Sequence, residues 1–275
     1  MQENYALRKE GALSASLSPH SLLRYYGNAY SECGQDGILR RIFEACGIES
    51  GRFVEFGAWD GCWLSNSRAL TLRGWQGVFI ECDEQRFQGL RAELPPGSMA
   101  INDRVGTGDG RVAGRSLDEI LRSHGVDPDG VDFLSIDVDG NDLEIFDGLG
   151  FRPSVILLEG GFNYNPAITQ RVDMEYAAKN NQHPLGAVVD TAQARGYRAV
   201  CFFQDTYLVR EDYAHHFSEQ ISLGAVGMYR DAWAFACDAL RQLLLDLRGR
   251  DAYLREFEAK ALGSFEVHPL GAGAR

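Results

Sequence analysis

Asp137, Asp139, Asn141 and Asp142 put four oxygen-bearing side chains within six residues of the stretch Ser135-Ile136-Asp137-Val138-Asp139-Gly140-Asn141-Asp142. Val131–Ile136 reads as a strand, so this group sits at a strand's C-terminal edge. If the strand runs on through Asp139, Asp137 and Asp139 project to the same side. Two carboxylates held together repel and call for a cation or a shared proton. Oxygen-only ligands suit a hard divalent ion such as Mg²⁺, Mn²⁺ or Ca²⁺. The pattern is not an EF-hand, because Gly140 falls at the wrong position and Gly148 stands where the bidentate Glu belongs. Asn141 or Asp142 is expected to cap the next helix, whereas Asp137 precedes it by too much. Glu159, at the end of the next predicted strand, completes an expected metal set of Asp137, Asp139 and Glu159.

Two more strand ends carry chemistry. The first runs Val54-Glu55-Phe56-Gly57-Ala58-Trp59-Asp60-Gly61. Gly57 permits a tight turn, and Gly61 is expected to open a helix whose first amides receive an anion. The second ends on Glu81, where a carboxylate is placed to accept both hydroxyls of a ribose. Asn102 and Asp103, closing the third strand, join the expected cofactor contacts. Together these point to an adenosine-containing cofactor. A dinucleotide calls for three glycines around its pyrophosphate, and here Trp59 occupies the middle of the turn. The acidic turn Glu55…Asp60 suits instead the ammonium of S-adenosylmethionine. His183, before Pro184 and a predicted helix, is the candidate general base, expected to act with Asp137 on an acceptor hydroxyl. The Asn/Tyr-rich loop Phe162–Pro166 is expected to line the acceptor.

Elements that alternate must position these residues. Predicted strands are Arg52–Phe56, Gly77–Cys82, Met99–Asn102, Val131–Ile136 and Val155–Leu158, followed by a hairpin of Ala199–Phe203 and Tyr207–Val209. Predicted helices are Gln35–Cys46, 60–72, Glu84–Glu93, a short one capped by Ser116 and Glu119, Asn141–Leu149 and Leu185–Arg195. The tail Asp231–Leu262 reads as long helix broken at Gly249. This succession implies an α/β, Rossmann-like class I methyltransferase fold: a mostly parallel sheet with a terminal antiparallel hairpin and helices on both faces. Ligands then collect beyond the carboxyl ends of the strands. The expected organisation is a lead-in over 1–34, a core domain over 35–210 and a helical extension over 211–275.

Bulk properties narrow the function classes. The 275 residues carry 27 Lys and Arg against 39 Asp and Glu, a net charge of −12, without the basic stripe of a nucleic-acid binder. No apolar run is long enough to span a bilayer. The polar Met1–Glu10 lacks the apolar centre of a signal peptide, so a cytoplasmic protein is expected. The six cysteines are scattered without a C-x-x-C pair, which suits reduced thiols. Leu240, Leu243, Leu244 and Leu247 give the tail an apolar stripe able to form a homo-oligomer interface.

At these residues the chain resembles the FkbM-type methyltransferases. The stretches that look alike are Tyr30–Gly37, Phe53–Ala58, Gly74–Val78, Leu134–Asp142 and His183–Ala187, covering roughly residues 30–210. The resemblance implies S-adenosylmethionine as cofactor and O-methylation of a small molecule such as a sugar, a polyketide or another secondary metabolite. It also implies that Gln35 and Asp36 line the cofactor pocket. The chain departs from the family in carrying Ser135 where many members have Lys, Asp139 where they have Glu, and Trp59 at the central glycine. A metal-dependent hydrolase or hydroxylase-like enzyme, or a non-catalytic scaffold, is the competing expectation on the same fold.

Overall fold

The computed structural model describes residues 17–161, 163–173, 175 and 183–248, with 239–248 as helical backbone only. Its main sheet holds β1 (Arg52–Phe56), β2 (Gln76–Glu81), β3 (Met99–Asn102), β4 (Phe133–Ile136), β5 (Val155–Glu159), β6 (Tyr197–Phe203) and β7 (Asp205–Arg210). The strand order is β3-β2-β1-β4-β5-β7-β6. β1 to β5 pair in parallel, while β7 lies antiparallel between β5 and β6. The order reverses between β1 and β4, the place where an open α/β sheet leaves a crevice. Parallel sheet plus an inserted antiparallel strand is the class I methyltransferase arrangement, as the sequence pattern leads one to expect.

Around the sheet lie α1 (Gln35–Cys46), α2 (Arg68–Thr71), α3 (Glu84–Glu93), α4 (Leu117–Ser123), α5 (Asp142–Asp147), α6 (Leu185–Ala194) and α7 (Gly224–Arg248). Strands covered on both faces read as continuous apolar runs, and Val155 through Leu158 of β5 are all buried. α1 buries Ile38, Leu39, Ile42 and Phe43 and stops at Gly47, whose φ of 70° relieves the last turn. Ser116 and Glu119 form the expected capping box on α4. Leu22 and Leu23 of the lead-in, and Met228, Ala232 and Phe235 of α7, pack into the same core as the sheet. The side chains of Leu240, Leu243, Leu244 and Leu247, and the break at Gly249, lie outside the described residues. Among the described residues no helix is long and apolar enough to cross a membrane.

The stretch after β1 departs from expectation. Instead of a helix over 60–72 there is a looped segment followed by α2 alone, four residues long. Carboxylates hold the loop from inside. Asp60 accepts from the amides of Cys62 and Trp63 at 2.9 and 2.7 Å. Glu55 accepts from the Asn66 amide at 2.9 Å and from the hydroxyls of Ser65 and Ser67. Trp59 and Leu64 adopt left-handed φ values of 49° and 60°, which no helix interior tolerates.

Candidate active site

A cleft of about 510 Å³ opens beyond the C-terminal ends of the parallel strands, lined by Glu55, Gly57, Glu81, Asp103, Asp137, Asp139 and Glu159 among others. That volume is in the range of small-molecule sites. It lies at the switch point, where β1 and β4 diverge toward opposite edges.

At the β2–β3 end, Glu81 is 3% exposed. It accepts from the amides of Trp59 at 2.9 Å and Asp83 at 2.8 Å. Each oxygen keeps a lone pair for a ligand hydroxyl. Asp103 lines the cleft and pairs with Arg115 at 2.8 Å. Asn102 stands behind, donating to the Glu81 carbonyl at 2.9 Å, and is not part of the lining. Asp60 and Gly61 are likewise absent from the lining. Both expectations for them are corrected: Asp60 ties its own loop, and Gly61, at φ 67°, opens no helix. Gly57 holds the two halves of the cleft together. Its φ is 75°, and a Cβ there would stand 1.9 Å from the Asp137 carbonyl oxygen. The Arg86 guanidinium lies 4.3 Å from the centre of the Trp59 ring, both facing the cleft.

At the β4–β5 end, Asp137, Asp142 and Glu159 bring one carboxylate oxygen each within 4.8 Å of one another. Asp142, buried behind the lining, belongs to this group, whereas Asp139 lines the cleft outside it. β4 ends at Ile136, so the strand geometry that was to align Asp137 with Asp139 is absent. The chain turns instead, with Asp139 at φ 56° and exposed at the rim of the cleft. Neither Asn141 nor Asp142 caps α5 through its side chain. Asn141 makes no such bond, and Asp142 accepts from the Val138 and Gly140 amides, each at 2.8 Å, fixing the turn.

Burial dominates the electrostatics here. It pushes Asp137 up to about 6, reinforced by Asp139 and opposed by a hydrogen bond with Glu159. Asp142 rises to about 7 through burial and the nearby Asp137. Glu159 rises to about 9 for the same two reasons. Glu55 reaches about 7 by burial, although its serine and amide donors pull the other way. Glu159 Oε2 is buried and has no hydrogen-bond partner. Carboxylates so placed hold protons between them or a cation. The donor set, all oxygen with an orphaned buried lone pair, fits a hard divalent ion.

The remaining expected residues lie elsewhere. His183 is 3% exposed and does not line the cleft. Its Nε2 sits 3.0 and 3.2 Å from the two oxygens of the equally buried Glu144 on α5. The structure therefore does not place it as a base facing the cleft. Phe162, at the start of the loop expected to line the acceptor, lies outside the described residues. Gln35 is buried between the Cys33 amide, which donates to its Oε1 at 2.6 Å, and Asp205, which accepts from its Nε2 at 2.7 Å. Asp36 accepts from the amides of Ala29, Tyr30 and Ser31 at 2.7–3.1 Å. Neither lines the pocket; both shape the loop that brings Glu32 to it. Asp205, raised by burial to about 8, escaped notice in the sequence. It faces Glu159 across the β5–β7 pairing, and only its place just past a hairpin turn hinted at it.

The family model described as the Methyltransferase FkbM domain matches residues 107–199. The match bears out the resemblance over that stretch. No curated protein matches the chain by sequence. Among solved structures, monomeric WbdD is 16% identical with a TM-score of 0.39, covering 62% of this chain and 38% of its own. An O-methyltransferase from Bacillus cereus, solved with SAH, is 14% identical with a TM-score of 0.41, covering 75% of this chain and 94% of its own. A SAM-dependent methyltransferase from Thiobacillus denitrificans, solved with S-adenosyl-L-homocysteine, is 16% identical with a TM-score of 0.34, covering 82% of each chain. The chain thus spans well under half the length of WbdD.

Proposed function

We propose that this methyltransferase takes S-adenosylmethionine along the tips of β1, β2 and β3 and methylates a hydroxyl of a small molecule held at the tips of β4 and β5. The observation that carries the reading is one cleft with a satisfied carboxylate, Glu81, at the β2 end and the Asp137–Asp142–Glu159 group at the other. Glu81 accepts the ribose hydroxyls, Asp103 flanks the base, and the Gly57 turn lets the backbone approach closely. Bound there, S-adenosylmethionine supplies an electrophilic methyl group. Asp137, Asp142 and Glu159 would hold a Mg²⁺, Mn²⁺ or Ca²⁺ ion, which would lower the pKa of a neighbouring hydroxyl. The protein's own work is alignment and proton removal. The walls fix the acceptor oxygen in line with the methyl. As the methyl passes from sulfur to oxygen, the Asp137 carboxylate would take the proton that the hydroxyl loses.

Calorimetry with S-adenosylhomocysteine, in EDTA and with Mn²⁺, tests this. The expected result is nucleotide binding weakened by about 1–3 kcal/mol in Glu81→Ala and Mn²⁺ binding lost in Asp137→Asn. Nucleotide binding unaffected by Glu81→Ala defeats the ribose assignment. Absence of Mn²⁺ binding reduces the acid group to a proton-holding one.

A further inference from the structure

One carboxylate beside the acid group stays out of it. Asp205 opens β7 and stands directly opposite Glu159 in the antiparallel β5–β7 register. Residues opposed in this way put their Cβ atoms about 4.5–5.5 Å apart on one face of the sheet. The next backbone link, from the Gly160 amide to the Gln204 carbonyl at 3.3 Å, keeps the two strands together there. An aspartate so placed is a natural fourth member. Yet the oxygens that converge within 4.8 Å are those of Asp137, Asp142 and Glu159, without Asp205.

Gln35 accounts for the difference. Its Nε2 donates to Asp205 Oδ2 at 2.7 Å, while its Oε1 accepts from the Cys33 amide at 2.6 Å. Gln35 is 1% exposed and Asp205 3%, so neither bond competes with bulk water. The donor also has a rigid seat. It is the first residue of α1, and the preceding Gly34, at φ 77°, lies against the Tyr26 ring, where a Cβ would overlap. The following Asp36 ties down the amides of Ala29, Tyr30 and Ser31. The choice of an amide matters as well. A lysine or arginine would bring positive charge to the acids, whereas glutamine fixes orientation and leaves their charge as it is.

A hard divalent ion is held more tightly as charged ligands are added, and one that serves catalysis needs a position left open for the reacting group. We propose that Gln35 is a positioning residue: it turns Asp205 toward α1, keeps the group at three carboxylates and so leaves a side open to the acceptor hydroxyl. The inference rests on the cation reading above and deepens it by naming what limits the ligand set.

Mn²⁺ binding to the full chain, followed by calorimetry and by water-proton relaxation, tests this. Gln35→Met keeps the length of the side chain without its donor. It should bind Mn²⁺ at least about tenfold more tightly than the unmodified chain, with fewer fast-exchanging waters on the ion. A loss of mere structural support would weaken binding instead. In Asp205→Asn the water count should match that of the unmodified chain. Adding Gln35→Met to Asp205→Asn should then change affinity by less than about twofold. Unchanged or weaker Mn²⁺ binding by folded Gln35→Met overturns the proposal, as does tightening that persists without the Asp205 carboxylate. A gain of waters in Asp205→Asn alone overturns it too, by showing that Asp205 is already a ligand, and it decides the matter if Gln35→Met fails to fold. Absence of Mn²⁺ binding by the unmodified chain defeats the cation reading itself, and this inference with it.

Discussion

The two ends of the cleft treat their carboxylates in opposite ways. At the β2–β3 end each acid has its donors from the protein: Glu81 has the amides of Trp59 and Asp83, and Asp103 has Arg115. At the β4–β5 end, Asp137, Glu159 and nearby Asp205 crowd together in burial that lifts them to about 6, 9 and 8. A hydrogen-bonded carboxylate is a fixed recognition element, ready for a ligand's hydroxyls. An acid group with more charge than its surroundings can settle is waiting for a proton or a cation. One end is finished by the fold; the other is finished by what binds.

The largest effect that separates the ends is the pH dependence of stability. Asp137, Asp142, Glu55, Asp205 and Glu159 are pushed to about 6, 7, 7, 8 and 9, all above their ordinary values. The folded state then holds these protons more tightly than the unfolded one. Stability is therefore highest near the ordinary carboxylate range and falls as pH rises from about 4 toward 9. This is the reverse of acids that are salt-bridged when folded. Urea unfolding in EDTA at pH 5.5, 7 and 8.5 should show the decline, and Mn²⁺ should flatten it by stabilising the folded state at high pH. A curve that rises with pH would dissolve the contrast.

Next in size is the support behind the acid end. His183 and Glu144 form a buried pair, with side-chain exposures of 2% and 4%. Removing one partner strands the other, so His183→Ala should cost about 3–5 kcal/mol by urea unfolding. A cost below about 0.5 kcal/mol, as at a surface position, would show that Glu144 needs no partner. The same substitution at the finished end acts on the ligand. Glu81→Ala should weaken S-adenosylmethionine binding by about 1–3 kcal/mol, with Mn²⁺ affinity unchanged. A shared loss of both affinities would mean that the two ends are one site.

The sequence made the frame legible because strands covered on both faces, capped helices and glycine stops leave local marks. α1 lies where its apolar periodicity and the stop at Gly47 put it, and Glu55, Glu81, Asp137 and Glu159 stand at strand ends as the spacing requires. What escaped depends on contacts that spacing does not carry. Asp142 rather than Asp139 stands beside Asp137 and Glu159 because β4 stops three residues earlier than needed, and a left-handed residue then turns the chain. The helix expected over 60–72 fails because Glu55 and Asp60 satisfy backbone amides that a helix would have used. His183 looked like an accessible base because its partner lies 39 residues away in sequence. Gln35 and Asp36 came from the resemblance and prove to shape a wall rather than the lining.

The smallest effect belongs to the arginine that offsets the finished end. Arg86 stacks on Trp59 at 4.3 Å from the ring centre, and its side chain is exposed. A stack of this kind in water contributes about 0.5–1 kcal/mol. Arg86→Ala keeps the backbone amide that bonds to Asp83 and so leaves the start of α3 intact. Its effect is then confined to the Trp59 ring and to the positive charge beside Glu81. If the stacked guanidinium steadies the wall over the nucleotide, S-adenosylhomocysteine affinity should fall roughly two- to fivefold. The acid end should keep its Mn²⁺ affinity and its declining stability with pH. If the guanidinium instead repels the sulfonium of the cofactor, affinity for S-adenosylmethionine should rise while that for uncharged S-adenosylhomocysteine stays level. Titrating both nucleotides against the one variant distinguishes packing from charge and shows whether the β2–β3 end is as complete as its hydrogen bonds make it.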